Sequence, residues 1–184
     1  MVAQNCPFGA IRYECRDGGP DEAAPPVNLL QLREDGPLAI RADIHLRGEA
    51  IGYRATLCCC GESRNKPFCD GSHHVAGFRA TGEPETGHTT PLDLRDGVMS
   101  VTPQRNGALA VSGSMEVLSG TGRTILKRGT VMLCRCGQSW TKPYCDGSHD
   151  RPLRPGNHHA LVDAPIMSGP PDPVRSSAAP SCSG

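Results

Sequence analysis

Residues 58–73 read CCCGESRNKPFCDGSH, four cysteines and a histidine in a segment without a long apolar run. Disulfides, zinc or an iron-sulfur cluster could hold such a segment together. The chain then repeats itself at residues 134–149, CRCGQSWTKPYCDGSH, with identical spacing. Five of the sixteen positions differ (59/135, 62/138, 64/140, 65/141 and 68/144), so eleven are the same, and these include three cysteines and the final histidine. The duplicated subset marks the working part.

Composition sets the frame. The 184 residues carry seven aromatic side chains (Phe 3, Tyr 3, Trp 1) against Gly 22 and Pro 17, so no generous apolar core can form in either half. Units of that kind usually need disulfides or metal as staples. Lys+Arg 19 balances Asp+Glu 19, which gives no reason to expect nucleic acid or an anionic membrane as partner. No stretch approaches the roughly 20 apolar residues of a membrane span, and MVAQNCPFGAIRYE has neither a charged n-region nor an apolar h-region. The expectation is a soluble, cytoplasmic chain. In a reducing compartment its ten cysteines are better read as metal ligands or reactive thiols than as disulfides, and the histidine repeated at matched spacing points the same way.

The repeat extends beyond the cysteines. Leu38–Leu46 (LAIRADIHL) and Leu109–Val117 (LAVSGSMEV) both follow a glycine and alternate in part between apolar and polar residues, as half-buried strands do. The offset is 71 residues at those glycines (Gly36 and Gly107) and 76 at the first cysteines. The second copy therefore holds about five extra residues, placed in the turn-like Ser119-Gly120-Thr121-Gly122. Further strands are expected at Val27–Leu32, Tyr53–Leu57, Val98–Thr102 and Gly129–Leu133, with turns at Asp35-Gly36, Asp96-Gly97 and Asn106-Gly107. Long helices find no place. The division follows: an N-terminal segment 1–26, a first repeat 27–85, a second repeat 86–152, and a Pro/Ser-rich tail 153–184 in which Cys182 is a thiol without a role.

In each motif, thiolates one residue apart, Cys58 and Cys60, can reach the same metal, while Cys59 between them points elsewhere; its counterpart is Arg135. Cys69 and His73 are four apart, which puts them on one face if Asp70-Gly71-Ser72 opens a helical turn with Asp70 as its N-cap. Three thiolates and an imidazole suit tetrahedral zinc as well as iron. Structural zinc, however, usually takes two short knuckles of the C-x2-C kind. A 2Fe-2S cluster needs two ligands per iron, and Cys58/Cys60 with Cys69/His73 is a natural division. Proximity favours the cluster; ligand identity leaves zinc open.

The pattern C-x-C-x2-S-x3-P-x-C-D-G-S-H resembles that of the CDGSH iron-sulfur (mitoNEET-like) family, and it is matched in full twice. The matches are Cys58, Cys60, Ser63, Pro67, Cys69, Asp70, Gly71, Ser72 and His73, then Cys134, Cys136, Ser139, Pro143, Cys145, Asp146, Gly147, Ser148 and His149. With the strands, the resemblance covers residues 27–152. It implies two 2Fe-2S clusters, one on Cys58, Cys60, Cys69 and His73 and one on Cys134, Cys136, Cys145 and His149. It also implies a mainly β fold with short helical turns, in which two CDGSH repeats form an intramolecular pseudo-twofold β-cap above a cluster-binding layer. Single-motif members pair as homodimers; a tandem chain is expected to build that pair within a monomer. The lack of an anchor favours a soluble bacterial type.

A second resemblance is weaker: Cys6-Pro7-Phe8-Gly9-Ala10-Ile11-Arg12-Tyr13-Glu14 looks like the end of a small divergent 4Fe-4S domain. Cys6 and Cys15 alone cannot hold a cubane, so the segment reads as a remnant. Lys66 and Lys142, three residues before the third cysteine, are candidates for screening cluster charge or for a plain surface role. His74 becomes Asp150 in the second copy, and His158-His159 lies near the tail; neither is expected to ligate.

A histidine ligand replaces an anionic thiolate with a neutral imidazole, which makes reduction easier than in all-cysteine clusters. The ring's second nitrogen can take a proton as iron gains an electron, so the potential is expected to fall as pH rises. Acid should compete with iron for the imidazole and make the clusters labile. The leading expectation is electron transfer or redox sensing with a redox partner protein. The alternative is cluster transfer or storage with an apo iron-sulfur acceptor, and a zinc-stabilised binding module is less favoured. No paired carboxylates, nucleophile motif or phosphate loop suggests an enzyme.

Overall fold

Alternation builds the sheet. In the computed structural model, which describes residues 21–150, the strand Leu38–Leu46 (β2) alternates buried and less buried positions along its whole length. It sends Leu38, Ile40, Ala42, Ile44 and Leu46 inward, as the period of two requires. The remaining elements are β1 (Leu29–Gln31), β3 (Glu49–Leu57), the four-residue α1 (Ser72–Val75), β4 (Val98–Pro103), β5 (Leu109–Leu118), β6 (Thr124–Leu133) and a 3-10 turn at Ser148–Asp150. The fold is mainly β, with two short helical turns among the described residues. The N-terminal segment with Cys6 and Cys15, read from the sequence as a remnant, and the tail with His158, His159 and Cys182 lie outside the described residues.

Each repeat is a short strand followed by a long hairpin, and the two are woven together. β1 pairs antiparallel with β2 of its own repeat, Leu29 opposite Arg41, and parallel with β5 of the other, Leu29 opposite Glu116. β4 does the reverse, with Ser100 opposite Ser112 on β5 and opposite His45 on β2. A shift of 71 residues carries each pairing onto its counterpart, so the register itself expresses a pseudo-twofold axis. One edge of β2 is completed first by β1 and then by β4, one edge of β5 first by β4 and then by β1. The sheet thereby closes on itself and leaves few open edges. Asn28 ties the halves further, its side-chain amide donating to Gly97 O at 3.0 Å and Ser114 O at 2.9 Å.

Inside the closed sheet lie Leu30, Ile40, Ile44, Leu57, Met99, Val101, Leu109, Val111, Met115, Val117, Ile125 and Leu133, all below 2 % exposed. At about 1.5–3 kcal/mol for each large aliphatic side chain withdrawn from water, this is the main stabilising element of the cap. The register skips at the same place in both hairpins, between Arg41 and Ile44 and between Ser112 and Met115, a bulge that increases twist and helps closure.

The turns follow their chemistry. Asp35 and Asn106, equivalent by the 71-residue shift, have φ of 50° and 45°, a region that Asp and Asn tolerate better than most side chains. The β2–β3 hairpin closes through Arg47-Gly48, both at positive φ (53° and 94°), the two-residue geometry that matches strand twist. The β5–β6 hairpin instead uses Ser119–Arg123, and its strands are each ten residues long against nine. These differences account for the five extra residues expected in the second copy.

Two strands begin earlier than the sequence suggests. β3 starts at Glu49 rather than Tyr53, and β6 at Thr124 rather than Gly129. Their first halves include exposed residues such as Glu49 and Arg128, and cross-strand bonding rather than apolar alternation makes them strands. β1 is shorter than Val27–Leu32. Among the described residues, no helix is long and apolar enough to cross a membrane.

Candidate metal centres

Both motif loops leave the core at the same point and fold back the same way. At the end of β3, Leu57 bridges Phe68, and at the end of β6, Leu133 bridges Tyr144. Cys58 N donates to Pro67 O at 2.8 Å and Cys69 N to Thr56 O at 2.8 Å; Cys134 N to Pro143 O and Cys145 N to Met132 O repeat these distances. The antiparallel return sets the third cysteine beside the first. The Lys66-Pro67 and Lys142-Pro143 bonds are cis.

The non-cysteine motif residues shape the loop. Ser63 Oγ donates to Phe68 O at 2.6 Å and accepts from Asn65 N at 3.1 Å. Ser139 does the same with Tyr144 O (2.6 Å) and Thr141 N (3.1 Å). Lys66 Nζ donates to Ser63 O and Lys142 Nζ to Ser139 O. The sequence pattern contains these serines but gives no hint that they staple the loop. The Asp70 role differs from expectation. The α1 N-cap is Gly71, at φ 88°, because the chain must turn through the left-handed region there. Asp70, one position earlier, spans the loop instead. One carboxylate oxygen accepts from Ser72 N at 3.0 Å and the other from Arg64 N at 2.9 Å. Burial works against its ionisation, but the hydrogen bonds from Ser72 and Arg64 hold it at about 2. Asp146 accepts from Ser148 N and Trp140 N in the same manner, and these hydrogen bonds likewise lower its pKa.

The eight expected ligands come together as four pairs. Cys58 Sγ and Cys60 Sγ are 3.6 Å apart, and Cys134 Sγ and Cys136 Sγ 3.7 Å. Cys69 Sγ lies 3.4 Å from His73 Nδ1, and Cys145 Sγ 3.3 Å from His149 Nδ1. Two ligands about 2.3 Å from one tetrahedral metal stand about 3.8 Å apart, somewhat less when one is nitrogen, so every pair is at chelating distance. Among the described residues, no three Cys, His, Asp or Glu side chains gather around one point as a single-ion site needs. Each motif thus offers two two-ligand positions.

Backbone amides point at the sulfurs: Glu62 N to Cys60 Sγ, Gly71 N to Cys69 Sγ and Gln138 N to Cys136 Sγ, each at 3.4 Å. In the metal-free chain, the Cys60 thiol donates to Cys58 and brings it down to about 6, with the Ser63 and Gly61 amides and Lys66 assisting against burial. Cys60, as donor, is raised correspondingly. Cys134 falls to about 6 through Cys136 in the same way. The hydrogen bond within each pair eases loss of the first proton, which metal binding requires. Burial raises Cys69 and lowers His73, which keeps that imidazole neutral.

Cys59 points away from the ligands, donating to Gly36 O at 3.0 Å, and burial keeps its thiol protonated. Its counterpart Arg135 reaches the equivalent place, Nε donating to Gly107 O at 2.7 Å, with a further bond from Nη2 to Gln104 O. His74 stacks beside His73, ring centroids 4.0 Å apart. The two sites meet at the axis. A Cβ on Gly61 would lie 2.6 Å from Cys136 O, and one on Gly137 still closer to Cys60 O, so only glycine lets the two C-x-C-G segments cross.

The profile of the family described as iron-binding zinc finger, CDGSH type, matches this chain twice, at residues 35–74 and 106–150. No curated protein matches it. The two matches contain both ligand loops and the hairpins that carry them, and the chain carries two domains of the CDGSH iron-binding type in tandem, which supports an iron-sulfur protein.

Proposed function

We propose that each site holds one 2Fe-2S cluster, on Cys58, Cys60, Cys69 and His73 and on Cys134, Cys136, Cys145 and His149, and that the protein is a non-enzymatic electron carrier or redox sensor. The observation that carries this reading is the pairing of ligands. Each motif presents a cysteine pair and a cysteine-histidine pair at chelating distances of 3.3–3.7 Å, the division that two bridged irons need. A mononuclear zinc site would draw four ligands to one point. Such a cluster exchanges one electron, and its single imidazole raises the potential above that of all-cysteine clusters.

The protein's own contribution is to fix that exchange. Ser63, Asp70 and their counterparts hold the loop, amides face the sulfurs, and Nδ1 of His73 and of His149, the ring nitrogen beside the cysteine sulfur, would be the ligating atom. Partners on this reading are a redox protein in a reducing cytoplasm, with no nucleic acid or membrane. A second reading, transfer of the cluster to an apo iron-sulfur acceptor, is favoured by the more open second site, where Cys136 and Cys145 are only partly buried.

The test is the visible spectrum of the purified protein with iron and acid-labile sulfide counts, before and after dithionite. About four irons and four sulfides per chain, with absorption that bleaches on reduction, are expected from two clusters of this type. A colourless chain with stoichiometric zinc after anaerobic purification from iron-replete cells would overturn the reading. His149→Cys is expected to slow acid loss of the chromophore about tenfold, since a thiolate bound to iron resists protonation better than imidazole. Unchanged decay would remove histidine as the weak ligand.

A further inference from the structure

Two contacts join the metal sites across the pseudo-twofold axis. The first is the crossing of the C-x-C-G turns. A Cβ on Gly61 would lie 2.6 Å from Cys136 O, 2.9 Å from the carbonyl carbon of Cys136 and 3.3 Å from its Cα. One on Gly137 would lie 2.8 Å from the Cys60 carbonyl carbon and 3.3 Å from the Cys60 Cα. Each glycine thus packs on the backbone of a cysteine of the other site, and the two turns meet backbone to backbone. Interiors packed this closely transmit strain, so one turn cannot shift without displacing the other.

The second contact runs through side chains. His73 lies in α1, and the chain leaving that turn folds back so that Phe78 N donates to His73 O at 3.0 Å. The Phe78 ring is half-buried against the apolar core. Lys142 Nζ stands 5.5 Å from the ring centroid, within reach of a cation–π attraction. The same ammonium donates to Ser139 O at 2.6 Å, and Ser139 Oγ in turn donates to Tyr144 O at 2.6 Å inside the second ligand loop. A histidine of the first site is therefore linked, through Phe78 and Lys142, to the loop that sets the second site.

We infer that the two sites fill and empty as one unit, with Phe78 as the positioning side chain that, together with the glycine crossing, couples them. The inference rests on the cluster reading above. Filling one site fixes its C-x-C-G turn and its histidine, and with them the wall against which the other site forms. The second filling then loses less conformational freedom than the first. The coupling is reciprocal, since whatever one site gains from its neighbour's filling the neighbour gains in return. Each filling takes up two ferric irons and two sulfides, and each ligating thiol passes its proton to water, so no electron changes hands. The chain with a single cluster is the disfavoured species.

The experiment is anaerobic reconstitution of the metal-free full chain with ferric iron and sulfide in equal amounts, with native mass spectrometry counting chains that hold no, one or two clusters. At a mean loading of one cluster per chain, two equal and independent sites leave about half of the chains with a single cluster, whereas coupling of about fivefold lowers that share to about a third. Unequal independent sites raise it. The wild type is expected at about a third or less. Phe78→Leu keeps the apolar packing and takes the ring face from Lys142, so at the same mean loading its share should move toward one half. A wild-type share of one half or more would overturn the inference. A suppressed wild-type share that Phe78→Leu leaves unchanged would overturn the role given to Phe78. If Phe78→Leu does not load, Lys142→Met takes its place, and an unchanged share there is the overturning result for that link. A chain that takes up no iron and sulfide would overturn the cluster reading itself, and a loaded chain with the statistical distribution only this coupling.

Discussion

The two ligand loops agree almost hydrogen bond for hydrogen bond, while the two hairpins that carry them have drifted apart. Ser63 and Ser139, Asp70 and Asp146, and Pro67 and Pro143 make matching contacts. In the cap, by contrast, a two-residue turn faces a five-residue one. The half-buried contact of His45 Nε2 with Asp43 Oδ1 has as counterpart a buried Glu116 held by Arg95 and Lys127. The longer turn survives because the connector between repeats supports it: Glu83 accepts from Thr121 N at 2.8 Å, and Gly82 O from Gly120 N at 2.8 Å. A cap needs only apolar positions and paired edges, which many sequences satisfy. A loop that sets four ligands to within tenths of an ångström tolerates far less.

The sharpest way to break the correspondence is at the crossing. Gly137→Ala places a Cβ against Cys60 O at φ 78°, so strain and overlap together should cost more than about 3 kcal/mol. Iron is expected to fall at both sites, because the residue struck belongs to the other one; thermal melts with iron counts would show it. Gly61→Ala, with its nearest approach at 2.6 Å, should be a milder version of the same defect. Next comes the staple. Ser139→Ala removes the hydroxyl that joins Tyr144 O to Thr141 N, leaving Tyr144 O only the longer bond from Thr141 Oγ1 at 3.5 Å, and about 1–3 kcal/mol should be lost. Ser63→Ala should match it within error in denaturant titrations, and unequal losses would end the claim that the loops are equivalent.

Glu116→Gln tests the cap, where equivalence has gone. Burial pushes the Glu116 pKa up, but Arg95 and Lys127 outweigh it and leave it below the ordinary value of 4.5. A lowered folded-state pKa stabilises above the unfolded value and is lost as pH falls through the folded one. The variant should therefore be about 1–2 kcal/mol less stable at neutral pH, with the gap to wild type narrowing below pH 4.5. A constant gap from pH 7 to pH 3.5, measured by urea midpoints, would contradict this account. The smallest effect is expected from Trp140→Arg, which restores the residue of the first loop. Trp140 is 76 % exposed and serves the loop through its backbone amide, so stability should change by less than about 0.5 kcal/mol.

Much of this was legible in the sequence because the repeat supplied its own control. The shared cysteines and histidines marked the side chains that the fold brings together in pairs, the change of offset from 71 to 76 located the longer hairpin, and the replacement of Cys59 by Arg135 set it apart from those pairs. What stayed hidden depends on the third dimension. The outer halves of β3 and β6 carry no regular apolar period, because they mix exposed residues such as Glu49 and Arg128 with Ile51, Ile125 and Leu126 set against the core, and cross-strand pairing defines them. Asp70 has the composition of a cap but acts as a brace, because the Gly71 conformation shifts the helix start by one. The passage of β1 onto β5, and of β4 onto β2, leaves no trace in local pattern at all.

That exchange of strands bears on how the chain can be assembled. The Asn28 side chain reaches Ser114, 86 residues away, so neither half can finish its sheet from its own residues. Contacts so distant in sequence form late and only together. A chain cut in the connector would yield two pieces with raw strand edges, each the missing template of the other. Supplied together, such fragments should reconstitute the closed sheet; supplied singly, each has only a second copy of itself to turn to.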